Sequence, residues 1–157
     1  MAIEIERKFL INKPLWSNLA KPKATNIIQA YLSTSAESTV RVRTKGSKGY
    51  LTVKGKSTGI SRVEYEYEIP LSDVKKMIKE LNLSCIEKMR YEIKVGNHIW
   101  EIDEFHGDNS GLIIAEIELN SEDETFEKPN WILNEVSDDI RYYNSQLLEN
   151  PYKLWKH

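Results

Sequence analysis

The sequence predicts a mainly β domain of the α+β class, an antiparallel sheet with helices outside it. Three observations lead there. Period-two alternation of apolar and charged residues runs through most of the chain, as expected of strands that cover one face. Eight such segments follow one another through short, hairpin-sized connections. The 157 residues, 40% hydrophobic and 29% charged, suit one globular domain with a real core.

The expected strands run over 3–10, 27–33, 39–45, 50–56, 62–69, 86–95, 98–105 and 112–119. "KGSKG" (45–49) and "GN" (96–97) carry turn chemistry, whereas "STG" (57–59) and "HGDNSG" (106–111) read as loops. Four helices are expected. "PLWSNLA" (14–20) opens with proline at a first-turn position. "SDVKKMIKELN" (72–82) takes Ser72 as N-cap, spaces Val74, Ile78 and Leu81 on one face, and leaves Lys75 and Lys79 wet. Segments 129–136 and 142–150 are shorter, and Pro151 ends the last.

Composition excludes several classes of function. Formal net charge is −2, from 22 Lys+Arg against 24 Asp+Glu, which speaks against a broad basic nucleic-acid surface but not against a concentrated cationic site. The single cysteine, Cys85, excludes an intramolecular disulfide and a cysteine-rich zinc site, and lacks a paired base in sequence. No secretory leader and no apolar run of about 18 residues is present, so a cytoplasmic protein is the simplest expectation. No repeat or linker divides residues 1–157, so a single domain is expected.

Strand parity carries more. Glu4, Glu6 and Lys8 share a face, as do Thr39, Arg41, Arg43 and Lys45; Thr52, Lys54 and Lys56; and Arg62, Glu64, Glu66 and Glu68. Lys88, Arg90, Glu92 and Lys94 form a fifth set, Glu101 and Asp103 a sixth, and Glu116 and Glu118 a seventh, each opposite an apolar face. An open sheet with one solvated side gives the same alternation. Solvated faces, however, usually mix in Ser, Thr, Asn and Gln, and here the signs are also sorted by strand. The alternative is a closed eight-stranded barrel with the ionic face inward, an interior wide enough for one small ligand. Buried charges must be paired or bound to ions. Arg and Lys suit phosphate oxygens, and clustered carboxylates suit hard cations. A lumen holding both matches a metal–polyphosphate complex.

These residues resemble a known family. "EIERKF" (4–9) is similar to the ExExK signature of the CYTH superfamily, the triphosphate tunnel metalloenzymes. "VRVR" (40–43), "LTVKGK" (51–56), "SRVEYEYEI" (61–69), "EKMRYE" (87–92), "WEIDEF" (100–105), "AEIEL" (115–119) and "RYYNSQLLENPY" (141–152) follow in the family's order. The resemblance implies a closed eight-stranded antiparallel β-barrel tunnel with a charged interior and helices packed outside. It implies a small triphosphate as partner and Mg²⁺ or Mn²⁺ as cofactor; charge balance and the lack of a long apolar run argue against nucleic-acid and membrane partners, and whether the chain forms a homodimer is left open. By motif, Glu4, Glu6, Glu116 and Glu118 would be metal ligands with Asp103 nearby. Glu64 and Glu66 would bind metal or pair structurally. Lys8, Arg41, Arg43, Lys54, Arg62, Lys88 and Arg90 would hold phosphate oxygens. "IIQAYL" (27–32) resembles a QGYL-like strand with Ala30 in place of Gly, and Tyr31, on the same face as Gln29, would orient substrate or water. Glu4, Glu6, Lys8, Tyr31 and Lys88 are the residues the resemblance makes catalytic.

Other signals carry less. "GKS" (55–57) lacks the glycine of a P-loop at position 50, which is Tyr50, and joins two strands rather than a strand and a helix. His98, His106 and His157 have no ligand spacing, and Trp16, Trp100, Trp131 and Trp155 read as packing residues. The expected function is metal-dependent hydrolysis of a small triphosphate, inorganic triphosphate first, to pyrophosphate and phosphate. The alternatives are a class IV-type adenylate cyclase, a thiamine or nucleoside triphosphatase, and a non-catalytic polyphosphate or nucleotide sensor. The glutamate pairs favour catalysis over the sensor, since anion binding needs cations alone. No segment is devoted to a base and ribose, which favours the inorganic substrate over the cyclase reaction.

Overall fold

The computed structural model describes residues 3–156 of the chain; His157 lies outside the described residues. The strands are β1 (Ile3–Ile11), β2 (Thr25–Thr34), β3 (Ser38–Lys45), β4 (Lys48–Gly55), β5 (Ser61–Ile69), β6 (Cys85–Val95), β7 (His98–Phe105), β8 (Ile113–Glu118) and β9 (Ile132–Glu135). They hydrogen-bond in the order β5-β4-β3-β2-β6-β7-β8-β1-β9, and β5 also pairs with β1. Strands β1 to β8 thus close an antiparallel barrel, as the resemblance implies, and β9 branches from it. The closing seam is short: Ile3, Glu4 and Ile5 pair with Val63, Arg62 and Ser61. One further bond, from the Glu6 N–H to the Ile60 carbonyl, extends it.

Strand register confirms the parity. Glu6 faces Glu118 and Lys8 faces Glu116 across β1–β8, Arg90 faces Asp103 across β6–β7, and Tyr31 faces Arg41 across β2–β3. The ionic faces point into the barrel. The apolar faces point out and are covered in two places. Phe9, Trp100, Ile102, Ala115 and Ile117 pack beneath Trp16 and Trp131. Ala30 and Val42 pack beneath Val74 of α2 (Leu71–Glu80). Cover is incomplete, for Val63, Tyr65 and Tyr67 on the outside of β5 stay exposed.

The helices differ most from expectation. Segment 129–136 is not a helix. Ile132–Glu135 form β9 on the free edge of β1, with Ile11 facing Ile132 and Phe9 facing Glu135. The seam with β5 uses only the first part of β1, so the remaining N–H and C=O groups need partners, and that demand overrides helical spacing. Ser72 does not cap α2: Pro70 precedes the helix and its carbonyl accepts from the N–H of Asp73 and Val74. The first helix, α1 (Lys13–Ser17), is capped by Asn12, whose side chain accepts from the Leu15 N–H.

Segment 142–150 shrinks to a 3₁₀ turn (Ile140–Tyr142) and one helical turn, α3 (Asn144–Leu147). It does not lie outside the barrel wall. Inward positions beyond the charged layers are apolar, namely Leu10, Ile86, Phe105 and Ile114. Leu147, Leu148, Tyr142 and Trp155 pack against them across that end of the barrel. The tunnel therefore has a plugged end built from the C-terminal segment. No helix among the described residues is long and apolar enough to cross a membrane.

Gly49 in β4 is required by close approach. A Cβ there would sit 2.8 Å from Val74 Cγ2 and 2.9 Å from the Ile69 carbonyl oxygen. Gly49→Ala should cost about 1–3 kcal/mol, the range for overpacking a filled site. Urea denaturation measures it, and an unchanged midpoint would show that α2 does not press on β4.

Candidate active site

The barrel encloses a cavity of about 240 Å³. Its cations are Lys8, Arg41, Arg43, Lys45, Lys54, Arg62, Lys88 and Arg90, and its carboxylates are Glu4, Glu6, Glu64, Glu66, Glu101, Glu116 and Glu118. The signs are sorted by wall. Acidic strands β8, β1 and β5 are neighbours because of the β1–β5 closure. Cationic strands β4, β3 and β6 form the facing wall, with β2 among them. Lys8 and Arg62 are the cations placed on the acidic wall.

On that wall Glu4, Glu6 and Glu118 each offer an oxygen, all within 4.8 Å of one another. Alternate residues of β1 bring Glu4 and Glu6 to one face, and register brings Glu118 opposite Glu6. Their ionisation is strained. Burial, then Glu116 and Glu4, push the Glu6 carboxyl well above the usual range. Burial against the wall and four nearby carboxylates push Glu118 up to about 7, although its surface reaches solvent. Against the cost of burial, Glu4 is held low by the Lys54 charge together with hydrogen bonds to Glu64 and Lys54. Three oxygen donors this close with unneutralised charge fit a hard divalent cation. Glu64 stands next to this group, sharing the Lys54 ammonium with Glu4 at 3.3 and 3.2 Å. Burial and the Glu4 charge raise its carboxyl.

The other assigned carboxylates are engaged by cations. Glu116 pairs with Lys8 at 3.4 Å and Arg90 at 3.9 Å. Against the cost of burial, Lys8, Arg90 and Lys88 hold it well below the usual range. Glu66 accepts from Arg41 at 3.4 Å, Arg43 at 3.3 Å and Thr52 at 2.8 Å. Asp103 is fully buried outside the acidic triad. It takes Arg90 through two 2.8 Å bonds and Lys88 through a third contact at 2.8 Å. With both oxygens so occupied, Asp103 anchors two cations, and a role as metal ligand does not fit its partners.

The cationic side chains are held from behind and present nitrogen to the cavity. Burial lowers Lys88 to about 8 despite the Asp103 charge, and its ammonium also donates to Asn144 Oδ1 at 3.1 Å. Lys8 moves the other way, since Glu116 and Glu6 outweigh burial and raise it. Arg62 donates to the Gly55 carbonyl and to Thr39. The Nε groups of Arg41 and Arg43 are buried without a protein partner. Tyr31 lines the cavity beside them.

Several residues here were given no site role by the sequence. Glu101, placed by parity on the ionic face with Asp103, accepts from Arg90 at 3.1 Å. Ser137, Tyr143, Asn144 and Ser145 line the plugged end. They lie in the loop beyond β9 and in the single turn of α3, too short for helical periodicity to point them inward. His98 pairs with Glu124 on the outside, and Trp16, Trp100 and Trp131 are buried in the outer core.

A closed antiparallel barrel with an acidic wall facing a cationic one defines a site for a polyanion together with a divalent cation. A family model described as "CYTH domain" matches residues 2–147, and the chain belongs to this family. A protein named inorganic triphosphatase from Acetivibrio thermocellus is 48% identical over 157 residues, covering 99% of both chains. Another of that name, from Nitrosomonas europaea, is 35% identical over 148 residues, covering 92% of this chain and 95% of its own. The crystal structure of an inorganic triphosphatase superposes with TM-score 0.63 at 31% identity, covering 94% of this chain and 95% of that one. A putative adenylate cyclase from Bacillus halodurans has TM-score 0.60 at 18% identity, covering 78% and 84%, which shows the shared fold.

Two outcomes follow for the site. Asp103→Asn should destabilise the fold by about 3–5 kcal/mol, since it leaves buried cations without their counter-ion. Denaturant titration checks this, and a loss under about 1 kcal/mol would remove Asp103 as the anchor. Separately, Mn²⁺ affinity measured by calorimetry should fall as pH drops below about 7, because the cation must displace protons from Glu118 and Glu6. Equal affinity at about pH 6 and pH 8 would mean these carboxyls are ionised throughout.

Proposed function

We propose that the chain is a divalent-metal-dependent triphosphatase that hydrolyses inorganic triphosphate to pyrophosphate and phosphate. The observation that carries this reading is the facing of the two walls across one small cavity. The names of the relatives support it. The cavity volume of about 240 Å³ supports an inorganic substrate, being below the roughly 300–1,000 Å³ typical of pockets for drug-sized ligands. In the adenylate cyclase reading a base and ribose must also be seated, whereas the lining of this cavity is mostly Arg, Lys and Glu.

Glu4, Glu6 and Glu118 hold Mg²⁺ or Mn²⁺, with Glu64 and Glu116 beside them. A divalent cation at such a site neutralises phosphate charge and acidifies water for attack. Arg41, Arg43, Lys54, Arg62, Lys8, Lys88 and Arg90 bind the phosphate oxygens and fix the chain across the tunnel. A water oxygen adds to a terminal phosphorus, the bridging P–O bond opposite breaks, and pyrophosphate leaves. Negative charge on the leaving oxygen is met by preorganised cations, which need no reorganisation as it develops. Lys88, lowered to about 8, is suited to give or take a proton at Nζ near neutral pH. Asp103 keeps Lys88 and Arg90 aimed.

Phosphate release from inorganic triphosphate, ATP and thiamine triphosphate, with Mg²⁺, Mn²⁺ or excess chelator, tests the reading. Inorganic triphosphate should give the highest kcat/KM, chelator should abolish turnover, and no cyclic AMP should form from ATP. Glu6→Gln and Glu118→Gln should each lower kcat by at least about two orders of magnitude with the fold intact. Cyclic AMP as the main product, or full turnover in chelator, would overturn the proposal.

A further inference from the structure

Gln29 stands behind Tyr31 on β2. Tyr31 lines the cavity and Gln29 does not, being 0% exposed. Gln29 Nε2 donates to the Tyr31 hydroxyl oxygen at 2.8 Å, whereas Gln29 Oε1 is buried with no protein partner. The direct cross-strand neighbours of Gln29 and Tyr31 are Arg43 and Arg41. The reverse amide orientation would leave an unpartnered NH₂ next to a guanidinium, donor against cation. The orientation found avoids that conflict and has a consequence for the phenol. A tyrosine hydroxyl has one proton and two lone pairs. Gln29 occupies one lone pair, so the proton is left to be donated, and among the described residues no acceptor takes it.

We infer that Gln29 is a positioning residue that fixes the Tyr31 hydroxyl as a hydrogen-bond donor to a phosphate oxygen in the tunnel. The inference rests on the triphosphate reading and adds a specificity element to it. Arg and Lys recognise charge, whereas a hydroxyl locked as a donor accepts only an acceptor oxygen in one direction. It also assigns Tyr31 to substrate binding, because the proton that Gln29 leaves free is available to a phosphate oxygen.

A double-mutant cycle tests this with native protein, Tyr31→Phe, Gln29→Leu and the double variant. Two measurements are made: calorimetric binding of inorganic triphosphate in excess chelator, and KM and kcat for its cleavage with Mg²⁺. Tyr31→Phe should weaken binding about tenfold, the scale of a hydrogen bond to a charged group. Gln29→Leu should lose a large part of that factor, and the double variant should match Tyr31→Phe, with the loss in affinity and KM rather than in kcat. Penalties that multiply, or Gln29→Leu at native affinity, would overturn the inference, since a residue that only fills space would act independently of the Tyr31 hydroxyl. Thermal melts check the fold, and Gln29→Met replaces Gln29→Leu in the cycle if the latter does not fold. Native protein that binds triphosphate without cleaving it sinks the hydrolase reading and leaves the cycle decisive. Native protein that neither binds triphosphate in chelator nor cleaves it with Mg²⁺ sinks both.

Discussion

Arg90 and Asp103, joined by two 2.8 Å bonds inside the barrel, show the constraint on which the rest depends. A barrel that turns its charged faces inward takes them partly out of water, and every one must then be compensated. Asp103 also holds Lys88, Glu116 holds Lys8, Glu66 holds two arginines, and Lys54 bridges two glutamates. Compensation is uneven. It is nearly complete at the Asp103 layer and fails at Glu6 and Glu118, whose carboxyls are raised by burial and by the carboxylates around them. That shortfall sets the acidic triad of Glu4, Glu6 and Glu118 apart from the other described carboxylates of the lumen.

The outer layers serve this interior. The aromatic core of Phe9, Trp100, Trp16 and Trp131 clamps β1, β7 and β8 from outside, and α2 does the same for β3 and β4. Rigid strands hold the lumen side chains at fixed spacing, so their dipoles and charges are set before a ligand arrives. The weak point is the seam between β1 and β5, three residue pairs long. Glu4 and Arg62, opposite each other in that seam, stake a carboxylate of the acidic triad on the shortest pairing in the barrel. Loss of the seam would open the wall at the acidic triad.

The plugged end gives the tunnel a direction. Tyr142, Leu147 and Trp155 join Leu10, Ile86, Phe105 and Ile114 to form an apolar floor. Asn144 reaches from the same segment to Lys88, and the Tyr142 carbonyl and Tyr143 ring lie against Lys8. The C-terminal segment is thus part of the binding chamber rather than its outer cover.

The ionic strands were legible in the sequence because a strand exposes its two faces on alternate residues. Parity alone put Glu4 with Glu6, Arg41 with Arg43, and Glu116 with Glu118 on common faces, and turn chemistry at 45–49 and 96–97 joined their strands correctly. Open sheet and closed barrel share this parity; the scarcity of neutral polar residues on the ionic faces and the sorting of their signs weakened the open sheet, and the family resemblance implied the closure. The sequence did not contain the distinction between Asp103 as anchor and Glu118 as free carboxylate, since both occupy inward positions of neighbouring strands. Which carboxylate meets a guanidinium depends on cross-strand register and depth. Nor did it show β9, because a free edge on β1 exists only after β1 has paired unevenly with β5 and β8. The floor residues 142–147 were expected in a helix outside the barrel; the helix is a single turn, too short for its period to mark a face, and packing against Leu10 and Ile114 turns the segment inward. Sequence by itself determined which side chains share a face; tertiary closure decided which faces meet, because opposing walls come from strands distant in the chain.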